Sequence, residues 1–259
     1  MMRHPMGNER AGKDGRFSEK QEDFAMRFAY FAFFENTDSS KLAVSKADVE
    51  TVAEIVKLTP GLTSANLYTP EVTKDMYNKD EQSPVFGMQL HFNELSELED
   101  AMAPAGHLQQ LAANGVLSSI RGARATQQAM YARHFPVDDS TVDIARNGNP
   151  CSYVVHYQGP AEDLNVWMHH YVTHHPEVMR TFPGIRKIEV LSRIDWCGFL
   201  PWERVNHMQR NRVMFDSPAA LQAALQSPAR IAMREDFKTF PPFEGGNSHF
   251  PMETRIVLP

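Results

Sequence analysis

Cysteine is scarce: Cys151 and Cys197 are the only two in 259 residues. Two cannot frame a disulfide scaffold, so a packed core must hold the chain, and a reducing cytoplasm is the expected setting. Positive charge is short as well, with 26 Lys and Arg against 32 Asp and Glu and a net charge of -6. That removes the basic face a nucleic-acid binder presents. No apolar run reaches the ~20 residues that a membrane-spanning helix needs. Residues 1–23 are polar and lack the apolar stretch of a secretory signal, so they read as a mobile tail. P-loop, dinucleotide and nucleophile-elbow motifs are missing, and Gly245-Gly246 is too short to cradle a phosphate. Neither cysteine has the basic neighbour or helix N-terminus that marks a nucleophilic thiol.

What is present is apolar material, 42% of residues, enough for one large domain or two small ones. The chain also repeats itself. At an offset of 123 residues Tyr30–Phe34 meets Tyr153–Tyr157, Pro60-Gly61 meets Pro183-Gly184, and Phe92–Met102 meets Phe215–Leu225. Met130–Val137 meets Met252–Pro259 one residue out of step. The expected organisation is a tail (1–23), a first unit (24–137), a linker rich in Asp, Asn and Gly (138–150) and a second unit (151–259).

Each unit reads β-α-β-β-α-β. In the first, strands are expected at Phe24–Phe34, Leu62–Tyr68, Pro84–Phe92 and Thr126–Pro136. Val49, Val52, Ala53 and Val56 recur at helical spacing in Ser45–Leu58, and Pro60-Gly61 stops that helix. A second helix starts at Glu94. In the second unit strands are expected at Cys151–Tyr157, Ile185–Ser192, His207–Phe215 and His249–Leu258. A helix covers Asp163–Phe182, with Pro176 kinking or ending it. Another covers Ala219–Phe237, opened by Ser217-Pro218 as cap and first-turn proline.

The repeat supplies an internal control. In the third strand of the first unit Phe86, Met88, Leu90 and Phe92 form one apolar face. Their counterparts are Gln209, Asn211, Val213 and Phe215, so two apolar positions have become amides. On the first helix Val52 is replaced by His175 and Asp48 by Tyr171. An unpartnered buried polar group costs roughly 1–3 kcal/mol, so several on one inward face imply a satisfied network or a ligand pocket. The first unit reads as a filled core and the second as a hollowed one.

His175 is the expected general acid or base, because imidazole titrates near neutrality. Tyr171 lies one turn before it and is paired with it as catalytic. Asn211, Gln209 and His207 are expected to orient a substrate or steady a developing oxyanion. Tyr153 and Tyr157 share one face of their strand, with His156 on the other. Trp196 and Trp202, in the loop Arg193–Asn206, either lid the pocket or cover the core. Arg210 and Arg212 should face the other sheet, either as an anion-binding barrel interior or as ion pairs to Glu253 or Glu189. His169, His170, His174 and His175 cannot all converge on one ion, because adjacent helical residues point about 100° apart. No metal is expected.

These residues carry a family resemblance. An aromatic residue four before a histidine, then Pro-Gly, resembles the first helix of the EthD-like family: Tyr171 stands where that family usually has Trp, and His175 and Pro183-Gly184 match. The usual His-Ala-Pro reads His175-Pro176-Glu177. Phe215-Asp216-Ser217, Ser227-Pro228, Asp236 and Phe240 fit the same family. The resemblance covers the second unit directly and the first only through the repeat. It implies an α+β fold in which two tandem ferredoxin-like units form a fused dimeric α/β barrel, with a site between helices and sheet of the second unit. It also implies a cofactor-independent enzyme of small aromatic or phenolic metabolism, working by proton transfer as a lyase, isomerase, dehydratase or cyclase. The alternatives are a ligand-binding accessory protein, a cofactor-independent oxygenase, and a haem or metal enzyme with His175 as ligand. A homodimer is expected from an exposed sheet edge.

Overall fold

The structure, a computed structural model, describes residues 16–17, 26–37, 41–78 and 82–259. The expected tail, 1–23, lies outside the described residues except for Arg16–Phe17, which pair with Val142–Asp143. The linker also holds a short helix, Ile144–Asn147.

Strands are β1 (Phe28–Glu35), β2 (Leu62–Pro70), β3 (Phe86–Phe92), β4 (Arg124–Phe135), β5 (Cys151–Tyr157), β6 (Ile185–Arg193), β7 (Gln209–Phe215) and β8 (Asn247–Val257). They pair in the order β1-β3-β2-β8-β5-β7-β6-β4, and β4 pairs back onto β1. Eight antiparallel strands therefore close a barrel. Each unit contributes four in the order fourth-first-third-second, and the units join at β2–β8 and β4–β6. Closure removes the sheet edge on which the homodimer expectation rested. β2 begins at Leu62 and β6 at Ile185, β3 at Phe86 and β7 at Gln209, so the 123-residue offset is carried by the strands themselves.

The helices are α1 (Lys46–Lys57), α2 (Leu95–Ala101), α3 (Leu164–Met179), α4 (Pro218–Leu225) and α5 (Pro228–Phe237). α1 is capped by Ser45, whose hydroxyl accepts from the Asp48 amide at 3.1 Å, a contact of about 1 kcal/mol. Its buried Val52, Ala53 and Val56 pack on Phe86, Met88, Leu90 and Phe92 of β3. Burial of each valine contributes roughly 1.5–3 kcal/mol. Both Pro-Gly stops use glycine at positive φ, 76° at Gly61 and 74° at Gly184, where other residues are strained.

α3 runs through Pro176 to Met179, within the expected Asp163–Phe182. One helix expectation is corrected. The expected single helix Ala219–Phe237 is two, because Pro228 has no amide hydrogen to continue α4 and instead starts α5 as a first-turn proline. The break turns α5 back onto α3, which it packs against.

Each barrel strand puts alternate residues inward. The interior is apolar around Phe31, Phe33, Val154, Leu191, Phe250 and Met252. It is also charged. Glu189, wholly buried, accepts from Arg212 Nε at 2.5 Å and from Gln89 Nε2 at 3.1 Å. Burial alone would raise the Glu189 carboxyl, but Arg212 and its other basic neighbours hold it well below the usual range.

Candidate active site

The second unit's core contains a cavity of about 50 Å³ between the sheet and the helices. Its walls are largely apolar, with Val155, Met179, Phe182, Val213, Leu225 and Met233. Its polar groups are Tyr153, Tyr157, His175, Asn211, Arg230 and His249. Tyr153 and His249 also line an outer cavity of about 310 Å³, so these two residues stand between the two spaces.

His175 is 3% exposed. Its Nδ1 lies 2.5 Å from Asp236 Oδ2 on α5. A carboxylate accepts only, so Nδ1 carries the proton and Nε2 keeps its lone pair, on a ring that lines the cavity. Burial pulls the imidazole below its usual range, against the opposing hydrogen bond and charge of Asp236. His175 is therefore neutral at pH 7. The bond from His175, against the opposing effect of burial, holds the Asp236 carboxyl below the usual range.

Behind His175 lies a network. Asn211 Nδ2 donates to the Tyr171 hydroxyl at 2.6 Å, and Gln209 Nε2 donates to Asn211 Oδ1 at 3.1 Å. The rings of Tyr171 and Tyr157 meet edge to face with centroids 5.5 Å apart. Burial raises both phenols, so they stay protonated. Tyr171 packs between Trp167, with ring centroids 5.0 Å apart, and His175 at 4.6 Å.

Of the predicted site residues, His175, Asn211, Tyr153 and Tyr157 line the cavity. Tyr171 and Gln209 do not; both are hydrogen-bonded to Asn211. His207 is corrected outright. Its ring lies 5.4 Å from that of His156, on the barrel side of the sheet, because the strand begins only at Gln209 and its alternation does not extend back to His207. Trp196 and Trp202 pack on the first unit's core, 6.0 Å from Tyr30 and 5.1 Å from Phe34, and not over the cavity.

Four residues at the site had no expected role. Asp236 appeared only as a motif position. Arg230 shares a helical face with Met233 and Phe237, a spacing that the sequence does show. His249 borders both cavities. Asp75 comes from the first unit, and nothing near it in sequence marks it. It accepts Arg230 Nε at 2.8 Å and Nη2 at 2.9 Å, as well as the Tyr153 hydroxyl at 3.0 Å. Burial pushes its carboxyl up, yet Arg230 and the amides of Tyr77 and Asn78 hold it below the usual range. The neighbouring Lys74 backbone bonds Gln222 and Gln226, so a strap from the first unit is fastened over the second unit's site.

A haem or metal at His175 does not fit these residues. The space beside it is about 50 Å³, against ~300 Å³ or more for an ordinary cofactor pocket. Among the described residues no three His, Cys, Asp or Glu side chains gather as metal ligands. His170 and His174 stack at 4.7 Å on the exposed side of α3, where His170 also meets the Thr239 hydroxyl at 3.1 Å.

No family model matches the chain, and no curated protein matches it in sequence. Solved structures do match. An anthrone oxidase-like protein is 13% identical with a TM-score of 0.57, over 93% of this chain and 95% of that one. A candidate monooxygenase from Lactobacillus acidophilus NCFM is 9% identical with a TM-score of 0.51, over 90% and 96%. The fold is that of a dimeric α/β barrel. An EthD-family protein from Bacillus halodurans C-125, 19% identical, covers 41% of this chain and 95% of its own at a TM-score of 0.31. That likeness carries no argument, so of the expected resemblance the barrel fold is what stands. Among the described residues no helix is long and apolar enough to cross a membrane.

Proposed function

We propose that this barrel is an enzyme acting on a small, largely apolar aromatic or phenolic molecule, with His175 as general base and no cofactor of its own. The observation that carries the reading is the His175–Asp236 pair: an imidazole whose Nδ1 lies 2.5 Å from Asp236, on a ring that lines a largely apolar cavity. A base poised in this way accepts a proton from a phenol or from a carbon beside a carbonyl. Asn211, fixed by Tyr171 and Gln209, has a second amide hydrogen for the oxygen on which charge develops. The protonated imidazole then returns the proton elsewhere on the product, as a lyase, isomerase, dehydratase or cyclase step requires. The inner cavity takes only the reacting end, and the body of the substrate lies in the outer one.

A second reading shares the first step. The phenolate left after deprotonation reacts with dioxygen, as an oxygenase that needs no cofactor. It is supported by what the fold neighbours are, an anthrone oxidase-like protein and a candidate monooxygenase. The test is a panel of neutral phenols incubated with and without air, with products followed by mass spectrometry and oxygen by electrode. Turnover without oxygen uptake supports the first reading, and stoichiometric uptake the second. Full turnover by His175→Ala sinks both. Tight binding with the ligand returned unchanged would make the chain an accessory binding protein.

A further inference from the structure

The inward face of β7 carries two arginines two residues apart, and their surroundings differ. Arg212, 2% exposed, spends its Nε on Glu189. Arg210 is 1% exposed, and among the described residues no carboxylate touches it. Its Nη1 donates to His156 Nε2 at 2.6 Å, a neutral ring. Its guanidinium lies 5.4 and 5.2 Å from the ring centroids of Phe31 and Phe33. Its Nε is buried without a partner, and among the described residues no hydrogen bond reaches Nη2. The carboxylate that acts on it through space, Glu35 at the end of β1, is paired with Arg124 at 3.3 Å.

Arginine cannot escape by losing its proton at neutral pH, so a guanidinium taken out of water needs an anion. An imidazole satisfies one N–H but none of the charge. Nε and one Nη form the edge with which arginine grips a carboxylate through two parallel hydrogen bonds. At Arg210 that edge is vacant. We propose that the Nε/Nη2 edge of Arg210 binds a small carboxylate at this end of the barrel. His156 accepts from Arg210 Nη1 through Nε2, which leaves the Nε/Nη2 edge on the other side of the guanidinium. The rings of Phe33, Phe250 and His207 lie 4.8, 5.1 and 5.4 Å from that of His156, which limits the ligand to acetate size or to the carboxylate end of something longer. The site is on the opposite face of the sheet from His175 and stands independently of the function proposed above.

The probe is acetate, titrated into the full chain at constant ionic strength, with acetamide and chloride as controls and the thermal midpoint and isothermal calorimetry as readouts. A saturable rise with acetate and none with acetamide or chloride is expected. Arg210→Lys keeps the charge but loses the two-pronged edge, and should weaken acetate at least about tenfold. Arg210→Met should abolish the response while melting, without acetate, at or above the original midpoint. Equal responses to acetate and its controls overturn the proposal, and so does unchanged affinity in Arg210→Lys. Failure of Arg210→Met to fold also overturns it, since the guanidinium would then be held by a partner within the chain.

Discussion

Lowering the pH from 7 to 5 should destabilise this protein steeply, and the buried histidines set the size of the effect. Burial pushes His91 down to about 3, with Lys187 and Arg212 adding to the shift. Glu189 is 3.7 Å from His91 but already holds Arg212, so its pull is outweighed. His156 is held well below the usual range by burial and by Arg210. In the unfolded chain an imidazole titrates near 6.5. Between that value and the folded one the unfolded state binds more protons, so stability is full above about 6.5 and falls as the pH drops. His91 then loses about 1.4 kcal/mol per pH unit, or about 2 kcal/mol at pH 5, and His156 adds in the same direction. His207 and His249, each pushed to about 3 by burial, are partly exposed and count for less. His91 alone therefore accounts for about 2 kcal/mol and the other buried histidines act in the same direction, against ~5–15 kcal/mol for a whole domain. Denaturant midpoints at pH 7, 6 and 5, followed by circular dichroism, measure it. His91→Gln should remove about 2 kcal/mol of the pH dependence by the same linkage. Equal stability at pH 7 and pH 5 would refute the reasoning.

Asp236→Asn removes the charge that supports the His175 imidazole, so the His175 pKa falls further and the ring loses its orientation. Turnover should drop roughly 10²-fold, and the acid limb of the pH profile should move to lower pH; an unchanged profile contradicts this. Asp75→Ala strips the bidentate partner from a buried arginine and should cost about 3 kcal/mol in denaturant unfolding, with Asp75→Asn losing less because it keeps one acceptor. Gly87→Ala places a Cβ 2.7 Å from the Phe33 ring inside the barrel, and overpacking of that kind costs about 1–3 kcal/mol in the same assay.

The fold was legible because its signals are periodic. Phe86, Met88, Leu90 and Phe92 alternate cleanly, and the same stretch returns at Gln209–Phe215 with amides in place of two apolar residues. One of those amides, Asn211, lines the inner cavity. What stayed open or went unseen is what depends on where loops travel. Trp196 and Trp202 sit in a β6–β7 loop that crosses to the first unit, where Gln127 on β4 donates to the Leu200 and Trp202 carbonyls at 2.9 and 2.7 Å. His207 has the parity of Gln209 in sequence but lies before the strand. Asp75 reaches its arginine across 155 residues of chain, and neither sequence neighbourhood announces the pair. Ser227-Pro228 was visible as a motif, but that it splits the helix and returns Asp236 to His175 is a consequence of packing.

The central claim is that His175 is a neutral base whose proton is held on Nδ1 by Asp236. Nitrogen-15 NMR of the histidine side chains, titrated from pH 8 to pH 4 with His175→Gln used for assignment, reads it without any substrate. The account predicts a His175 resonance with Nδ1 protonated at pH 7, a midpoint below about 6.5, and a further fall of that midpoint in Asp236→Asn. A midpoint above 6.5, or a ring protonated on Nε2 at pH 7, would contradict it.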